Sequence, residues 1–353
     1  MIALFSKVTE LFFNFATMIR VFENIDLRER NSFHVAQRAM RLVEFDKAEE
    51  LPTLFEELCS ERWMVLSGGN NILFTRDYDG TLITPCGCDI RVVAENEHEV
   101  EVEVEAGLEW DDLVQWCVER GLWGIENLSL IPGKVGAAPV QNIGAYGVEA
   151  KDAIRAVTMY VPESGKFLTL AAEHCDFGYR ESVFKQSLRG KVVITSVTFR
   201  FGKEPRPILG YGDVIREVEA RGGATLSNIR EAICDIRRSK LPDTAVLGNA
   251  GSFFKNPVVD VAVAERLRVD YPEMPLYPLA EQGKVKLATG WLIDKAGLKG
   301  SRDGAVGVHE RQALVLVNHG GATGGEVIAF ARKVQERVKE CFGIEIDTEV
   351  NIL

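Results

Sequence analysis

The most constraining feature of the sequence is an eighteen-residue segment, Leu130–Gly147, that has almost no bulky side chains. It contains four Gly, two Pro and three Ala, and it lies between a predicted helix and a predicted strand. A long loop of small residues inside a compact domain is usually functional. Small residues let main-chain N–H and C=O groups reach the edge of a flat aromatic ligand, and Ile131 and Ile143 can pack against its face. The alternative is an extended crossover packed tightly against a sheet.

A second glycine-rich loop, Leu66–Phe74, leaves one predicted strand and enters another. Gly68 and Gly69 permit positive φ angles, so successive N–H groups can form a concave site for a diphosphate. Asn70 and Asn71 add amide donors. A simple tight turn would have the same composition. The loop is neither a P-loop nor a G-x-G-x-x-G fingerprint, so the usual nucleotide-binding folds are not indicated.

Hydrophobic periodicity predicts an α+β fold. In Glu99–Glu105, three valines alternate with glutamates, which is typical of a half-buried strand. Thr323 and Glu326 form a capping-box pattern, and the helix that they begin ends before Gly343. The other predicted strands are Trp63–Leu66, Thr81–Ile83, Ile90–Ala94, Ile154–Val161, Val192–Phe201, Ala313–Asn318 and a terminal strand, Ile344–Ile352. The other predicted helices are Trp110–Arg120, Ser227–Arg238 and Thr289–Lys295. A turn is predicted at residues 248–251, a proline-rich loop at 272–278 and a linker at 202–207.

Composition limits the classes of ligand. The formal net charge of −11 argues against general nucleic-acid binding, which needs a basic face. The seven cysteines include no C-x-x-C pair, and no histidine has metal-ligand spacing, so we expect a reducing cytoplasm and no metal site.

The amino-terminal residues 1–22 are apolar but are interrupted by Lys7, Glu10, Asn14 and Arg20. No cleavage-site pattern follows, so an amphipathic extension is favoured over a signal peptide or a membrane anchor. Translation from Met18 rather than Met1 is an open alternative.

Three dense motifs carry a resemblance to a known family. Residues 131–147, Phe177–Lys185 and Gly248–Pro257 closely resemble the UDP-N-acetylenolpyruvoylglucosamine reductase family, and the similarity runs from about Asn31 to Glu349. The segments Leu209–Asp213 and Pro272–Pro278 resemble the first, longer type in that family. The resemblance implies an α+β chain, with a two-lobed FAD-binding module of the vanillyl-alcohol-oxidase type followed by an α+β substrate-binding domain. It implies an extension at residues 1–24, the FAD module at 25–203 and the substrate domain at 204–353.

The resemblance also implies a reaction. NADPH would reduce non-covalently bound FAD, which would then reduce the enolpyruvyl group of UDP-N-acetylenolpyruvoylglucosamine to give UDP-N-acetylmuramate. Such an oxidoreductase would serve peptidoglycan synthesis, and with it cell-wall biogenesis, cell shape and cell division. None of the five histidines lies where related oxidases attach flavin covalently. The expected partner is this small substrate, with no nucleic acid or membrane, and the expected state is a cytoplasmic monomer.

Three catalytic residues follow from motif position. Arg180 would hold the substrate carboxylate, Ser252 would donate a proton and Glu349 would stabilise the enolate. Each residue type also has an ordinary interpretation: a surface Arg, a helix-capping Ser and a solvated strand Glu. Glu349 lies four residues before the end of the sequence, where a strand can fray.

Binding residues are carried over in the same way. The implied cofactor residues are Ser67, Gly68, Gly69, Asn70, Asn71, Ile131, Pro132, Gly133, Gln141, Asn142, Gly144, Ala145 and Tyr146. Asn70 stands where many relatives have Ser. The implied substrate residues are Tyr211, Lys240, Asn256, Tyr277 and Gln312. Lys240 and Tyr277 suit a diphosphate, although Lys240 is also typical of a helix end.

Two other functions compete with this one. A flavin oxidase on the same module would use oxygen and a small alcohol, and the motifs in the second half argue against it. A flavin-binding module without catalysis would not need Arg180, Ser252 and Glu349 together.

Overall fold

The computed structural model describes residues 19–59, 61–279 and 282–353. The predicted extension up to residue 18, including the choice of start codon, lies outside the described residues. The chain forms two compact units. The described part of unit 1 comprises residues 19–25, 39–68 and 79–239, and that of unit 2 comprises residues 26–38, 69–78 and 240–353.

Strands and short helices alternate along the chain. In chain order, the strands of the first half are β1 (Arg20–Asp26), β2 (Arg38–Phe45), β3 (Trp63–Val65), β4 (Ile72–Leu73), β5 (Tyr78–Pro85), β6 (Ile90–Glu95), β7 (Glu99–Glu105), β8 (Gly144–Ala145), β9 (Val148–Glu149), β10 (Ile154–Val161), β11 (Lys166–Ala171) and β12 (Val193–Gly202). Those of the second half are β13 (Gly248–Ser252), β14 (Val258–Asp260), β15 (Leu276–Pro278), β16 (Lys284–Leu287), β17 (Arg302–Asp303), β18 (Val306–Val308), β19 (Val315–Asn318) and β20 (Asn351–Ile352). The α-helices are α1 (Leu51–Leu58), α2 (Trp110–Glu119), α3 (Val214–Ala220), α4 (Leu226–Lys240), α5 (Val261–Asp270), α6 (Thr289–Lys295) and α7 (Gly324–Phe342).

Unit 1 is built mainly on two sheets. The larger is antiparallel, with the order β11-β10-β12-β7-β6. The predicted alternation of β7 is confirmed, because Val100, Val102 and Val104 are buried and pair with Phe201, Phe199 and Val197 of β12. Helix α2 contributes Trp110, Leu113, Val114 and Cys117 to the same core.

The smaller sheet has the order β1-β2-β5-β3, with β3 parallel to β5. Leu51, Leu54 and Leu58 of α1 share a core with β2 and β5. Residues 20–24, which the sequence assigns to the extension, form most of β1.

Helices α3 and α4 complete unit 1. Their buried side chains pack with Trp123, and Tyr146 and Leu209 pack against the same cluster. The boundary between the two compact units therefore lies after Ser239, whereas the domain boundary predicted from the family lies between residues 203 and 204. That boundary stays a prediction about the division of function.

Unit 2 contains a mixed set of small sheets. Their orders are β13-β19-β18-β17, β14-β16-β15 and β20-β4, and the last pair is parallel. Helix α7 begins with the predicted capping box, in which the Thr323 side chain and Glu326 satisfy each other's N–H groups. It ends at Gly343, which adopts the left-handed conformation.

Three predicted elements differ from the structure, and one is the loop predicted at 272–278, of which Leu276–Pro278 form β15. Residues 248–251 form β13 rather than a turn, because a bulge between Asn249 and Ser252 absorbs the positive φ of Gly251 within the ladder. The predicted terminal strand Ile344–Ile352 is wrong over most of its length. Ile344 and Ile346 are buried in alternation, yet among the described pairings only residues 351–352 belong to a strand. None of the described helices is long and apolar enough to cross a bilayer.

Candidate active site

The segment Leu130–Gly147, here called the cofactor loop, is fixed by main-chain hydrogen bonds to the core of unit 1. Gly136 N–H donates to the Ala106 carbonyl at 3.0 Å, and the Gly133 carbonyl accepts from Trp110 N–H at 2.8 Å. A Cβ on Gly136 would lie 2.6 Å from the Ala106 Cβ, so this glycine is needed for packing. The crossover interpretation therefore accounts for Gly136. It does not account for Ile131, Gly133, Gly144 and Ala145, which are only half-buried.

The motif around Arg180 is joined to this loop by three side-chain hydrogen bonds. Arg180 Nη2 donates to the Gly144 carbonyl at 3.0 Å, and Ser182 Oγ donates to the Val140 carbonyl at 2.6 Å. Asn142 Nδ2 donates to the Gly178 carbonyl at 3.0 Å. The structure thus brings the predicted catalytic arginine together with Gly144, and its motif together with Asn142, two of the predicted cofactor residues.

Arg180 also has a backbone conformation that is uncommon outside glycine, with φ of 56°. It sits in a tight turn in which Gly178 and Glu181 exchange main-chain hydrogen bonds of 3.0 and 3.3 Å. Lys185 Nζ donates to the Arg180 carbonyl at 3.1 Å. Sparsely populated backbone conformations of this kind concentrate at functional sites. The turn and these hydrogen bonds fix the direction of the Arg180 side chain, whereas an ordinary surface arginine is free to change its direction.

Asn142 has a structural role that its assignment as a cofactor residue did not anticipate. Its side chain is fully buried. Nδ2 donates to Glu149 Oε2 and to the Gly178 carbonyl, both at 3.0 Å, and Oδ1 accepts from Lys151 N–H at 3.0 Å. Because the amide is engaged at both ends, a cofactor contact at this position would have to come from the main chain.

Two residues that sequence analysis did not single out hold the ends of the cofactor loop. Asn127, fully buried, donates from Nδ2 to the carbonyls of Tyr146 and Ile208, each at 2.8 Å. Arg237 Nε donates to the Leu130 carbonyl at 3.2 Å, and its guanidinium interacts electrostatically with the Tyr146 side chain. Burial lowers the pKa of Arg237 and raises that of Tyr146. An Asn and an Arg flanking a loop carry no sequence signal unless their tertiary partners are known.

The glycine-rich loop at Ser67–Asn71 is where the chain passes from unit 1 to unit 2, between Gly68 and Gly69. Gly69 has φ of 66°, and a Cβ there would lie 2.1 Å from the Arg30 carbonyl, so only glycine fits. Ser67 Oγ is buried and has no hydrogen-bond partner within the described part of the chain. Buried hydroxyl groups are nearly always hydrogen-bonded, so this one is available to a ligand or a water molecule.

Unit 2 brings Ser252 and Glu349 into neighbouring positions of the main chain. Ser252 ends β13 opposite Val315 and does not begin a helix, so the helix-capping interpretation is wrong. Glu349 N–H donates to the carbonyl of Phe253, the residue after Ser252, at 2.8 Å. Asn71 Nδ2 donates to the Glu349 carbonyl at 3.4 Å.

The end of the sequence is not frayed in this structure. Asn351 N–H and Nδ2 both donate to the Asn71 carbonyl at 3.1 Å. The Leu353 carbonyl accepts from Thr75 N–H at 2.8 Å and from Thr75 Oγ1 at 2.5 Å. The segment 347–353, here called the tail, is therefore anchored by hydrogen bonds on both sides of Glu349.

The predicted substrate residues occupy several elements. Asn256 Oδ1 accepts from Thr289 N–H at 3.0 Å, and Gln312 Oε1 would lie 3.4 Å from a Cβ on Gly290, so both reach the first turn of α6. Tyr277 lies in β15 opposite Lys286. Lys240 is exposed at the last residue of α4, so its helix-end interpretation stays open. Tyr211, in unit 1, is 47% exposed and meets the Tyr146 ring edge-on, with centroids 6.2 Å apart.

Comparison with known proteins decides the family. Residues 242–353 match the C-terminal domain of UDP-N-acetylenolpyruvoylglucosamine reductase, and residues 40–171 match an FAD binding domain. The UDP-N-acetylenolpyruvoylglucosamine reductase of Chromobacterium violaceum is 49% identical over 335 residues, which cover 94% of this chain and 98% of that protein. The chain belongs to the UDP-N-acetylenolpyruvoylglucosamine reductase family.

Other reductases of the family agree. The reductase from Pseudomonas aeruginosa is 48% identical over 336 residues, covering 94% of this chain and 98% of that protein. Among solved structures, the reductase from Thermus caldophilus superposes with a TM-score of 0.68 at 24% identity, covering 95% of this chain and 99% of that one. The predicted family and fold class are confirmed.

The residues of this reductase family member fit the FAD that the matched domain implies. Ser67 Oγ, in the loop where a diphosphate site is predicted, offers a buried hydroxyl without a partner in the described ranges. The cofactor loop offers half-buried main chain of the kind that a flat ring system can contact at its edge. Within the described residues, no three His, Cys, Asp or Glu side chains are grouped so as to hold a metal ion.

Proposed function

We propose that this protein reduces the enolpyruvyl group of UDP-N-acetylenolpyruvoylglucosamine with NADPH and FAD, giving UDP-N-acetylmuramate for peptidoglycan synthesis. One observation carries the proposal. Relatives named for this reductase activity match along 94% of the chain, and the family's C-terminal domain matches residues 242–353, which hold Ser252 and Glu349. The match of residues 242–353 to the family's own C-terminal domain also argues against a flavin oxidase.

FAD, when bound, supplies the transfer of hydride from NADPH to the double bond of the substrate. The chain's own residues would supply the polar chemistry around that step. Hydride addition to the outer carbon of the enolpyruvyl group places negative charge in the carboxylate as an enolate. The reaction therefore requires a cation at the carboxylate, a group that stabilises the enolate and a proton for the other carbon.

Arg180 is proposed to bind the substrate carboxylate. A guanidinium has five N–H donors, so the bond to the Gly144 carbonyl is compatible with recognition of a carboxylate. That bond also orients the guanidinium plane, which favours bidentate contact. The strained turn around Arg180 supports this role because it commits the side chain to one direction.

Ser252 is proposed to donate the proton, and Glu349 to stabilise the enolate. The bulge at Gly251 redirects the end of β13, which is the usual effect of a bulge beside an active site. The hydrogen bonds of the tail keep Glu349 in register with Phe253, the residue that follows Ser252. Both residues thus depend on the same small set of main-chain bonds.

The test separates the two half-reactions under anaerobic conditions. NADPH should bleach the flavin absorbance of the purified protein, and the enolpyruvyl sugar nucleotide should restore it. Ser252→Ala should bleach at a near-normal rate but recover at least about 10²-fold more slowly. Ser164→Ala, at an exposed turn, is the matched control and should behave as the parent protein.

Three outcomes would contradict the proposal. Equal slowing of both half-reactions by Ser252→Ala would remove the proton-donor role. Rapid recovery with oxygen alone, and none with the sugar nucleotide, would favour the oxidase. A protein with no affinity for FAD would remove both functions.

The cellular setting is part of the same proposal. The seven cysteines are unpaired, which suits a reducing compartment, so we infer a cytoplasmic enzyme. We also infer a monomer. Cell fractionation and analytical ultracentrifugation of the full chain test these two points.

A further inference from the structure

The opening residue of the cofactor loop is held by an ion pair that includes none of the predicted catalytic residues. Asp111, in the first turn of α2, accepts from Leu130 N–H at 2.5 Å. The same carboxylate accepts from Arg230 Nη1 at 2.6 Å and from Arg230 Nη2 at 2.8 Å. Two parallel bonds between a guanidinium and a carboxylate form a strong and directional pair.

The pair remains ionised although it is partly buried. Burial alone would raise the pKa of Asp111, but the hydrogen bonds from Arg230 and Leu130 hold that pKa below its ordinary value. The bond to Asp111 raises the pKa of Arg230 in turn. Both side chains are mostly covered, with relative exposures of 29% for Asp111 and 16% for Arg230. Solvent therefore screens the pair less than it would an exposed one.

Helix α4 links this pair to the other end of the Leu130 peptide. Arg230 and Arg237 are seven residues apart, so they project from the same face two turns along the helix. Arg237 donates to the Leu130 carbonyl, whereas Asp111 accepts from the Leu130 N–H. Both polar groups of Leu130, whose φ is 60°, are thus fixed by a connected set of side chains.

The two arginines of α4 differ in their charge environment. Arg230 is neutralised by Asp111. Arg237 is more buried and forms no ion pair with a carboxylate of the described residues, and Asp111 acts on it only at longer range. The charge of Arg237 would be better solvated in water than in the protein. Arg237 therefore stays at the loop only if α4 is held firmly in place.

We propose that Asp111 and Arg230 are positioning residues for the cofactor. Their ion pair fixes α4 against the start of the cofactor loop, so that Leu130 keeps its unusual conformation and Arg237 stays at the loop. The inference rests on the proposed function only in taking residues 130–147 as the FAD-contacting loop.

The experiment compares variants of the full-length apoprotein. Asp111→Asn keeps an acceptor for Leu130 N–H but loses the charge, and Arg230→Met keeps an unbranched apolar stem but loses the guanidinium. Glu101→Gln is the matched control, because Glu101 pairs with Arg200 at 2.8 Å in the same unit but on β7 and β12. Asp111→Ala is a harsher variant. If it does not fold, Asp111→Asn carries the test.

Two measurements apply to every variant. Hydrogen exchange of the segment 130–147 in the apoprotein should become at least about tenfold faster in Asp111→Asn and Arg230→Met, but not in Glu101→Gln. The Kd for FAD should rise about tenfold in the same two variants. The increases in exchange rate and in Kd should be larger for Asp111→Ala than for Asp111→Asn. The double variant Asp111→Asn with Arg230→Met should show increases little larger than those of either single variant.

Specific results would overturn the inference. If all three pair-breaking variants lower thermal stability alike, with loop exchange and FAD affinity unchanged, the pair is an ordinary stabilising contact. Additive effects in the double variant would show that the two residues act separately. If the parent apoprotein does not bind FAD, the proposed function fails, and loop exchange still tests the positioning role on its own.

Discussion

Main-chain hydrogen bonds hold both the cofactor loop of unit 1 and the Ser252 region of unit 2, but the cofactor loop has several side-chain anchors in addition. Besides its main-chain bonds, the cofactor loop is held at its ends and in its middle by the side chains of Asn127, Asn142, Ser182 and Arg237. Main-chain hydrogen bonds hold the Ser252 region, from Phe253 to Leu314, from Lys255 to Asp347 and from Glu349 to Phe253, each at 2.8 Å. The first region therefore depends on which side chains are present. The second depends on the conformations that its backbone can adopt.

The largest expected effect is at Asn142. Asn142→Ala removes three hydrogen bonds of a fully buried amide and leaves their partners unsatisfied. We expect a loss of about 3 kcal/mol in the free energy of unfolding, measured by urea denaturation, together with weaker FAD binding.

The control for Asn142 is Asn96→Ala. Asn96 is exposed and accepts from His98 N–H at 2.8 Å and from Glu99 N–H at 2.9 Å, so its loss should cost less than about 1 kcal/mol. If both variants lose the same free energy of unfolding, the Asn142 side chain contributes no more to the cofactor loop than Asn96 contributes to an ordinary turn.

The second prediction concerns the backbone of unit 2. Gly251 has φ of 67° and open space where a Cβ would be, so Gly251→Ala should cost only about 1–2 kcal/mol in stability. Because the bulge sets the direction of Ser252, substrate reduction should slow by about 10- to 10²-fold while flavin bleaching by NADPH changes little.

Gly343→Ala provides the comparison, since Gly343 has φ of 68° and also has open space at the Cβ position. It should lose similar stability and keep both half-reactions. A matching loss of substrate reduction in Gly343→Ala would mean that stability alone explains the effect at Gly251.

Local sequence patterns are sufficient for some elements of this fold and insufficient for others. Periodicity was sufficient for β7, for α6 at Thr289–Lys295 and for the capped start of α7, because each is a local pattern with one buried face. It failed at β13, where two glycines and an alanine are typical of a turn. Only the pairing with β19 shows that the positive φ belongs to a bulge.

The site was predictable in part for a similar reason. The small-residue loop, the Arg180 motif and the Ser252 motif were visible as dense local patterns, and the structure joins the first two directly. Asn127, Arg230 and Arg237 gave no local signal. Arg230 meets Asp111 across 119 residues of sequence, and no periodicity encodes such a pair.

The third prediction concerns the ionisation of Glu126, which lies beside the cofactor-loop anchor Asn127. Glu126, next to Asn127, is 4% exposed, and burial raises its pKa although its carboxylate accepts from Gly124 N–H at 2.8 Å. A raised pKa in the folded state favours the protonated form. The group therefore contributes stability below its ordinary pKa of about 4.3, and that contribution is lost as pH rises through the folded-state pKa.

Glu126→Gln keeps the acceptor and removes the charge. We expect a gain of up to about 1 kcal/mol at pH 8 and none at pH 4, measured by thermal and urea unfolding at both values. Glu163→Gln, at an exposed turn, should show no such pH dependence. A gain for Glu126→Gln that is the same at both pH values would exclude ionisation as its cause.

The smallest expected effect is in the tail. Thr75→Val removes the Oγ1 bond to the Leu353 carbonyl but leaves the Thr75 N–H bond to the same carbonyl. Because main-chain bonds carry this region, stability should fall by no more than about 0.5 kcal/mol, and both half-reactions should stay within twofold. A loss comparable to that of Asn142→Ala would show that side chains hold unit 2 as well.

The main-chain lining of the cofactor loop has a consequence for redesign. Where the proposed contact with the flavin edge is made by peptide groups, its shape follows the course of the backbone, so shortening one side chain would not enlarge it. Flavin analogues with added bulk at the ring edge should be rejected by the parent protein and by single-residue variants alike. Acceptance of such analogues would require a different loop length or a grafted segment.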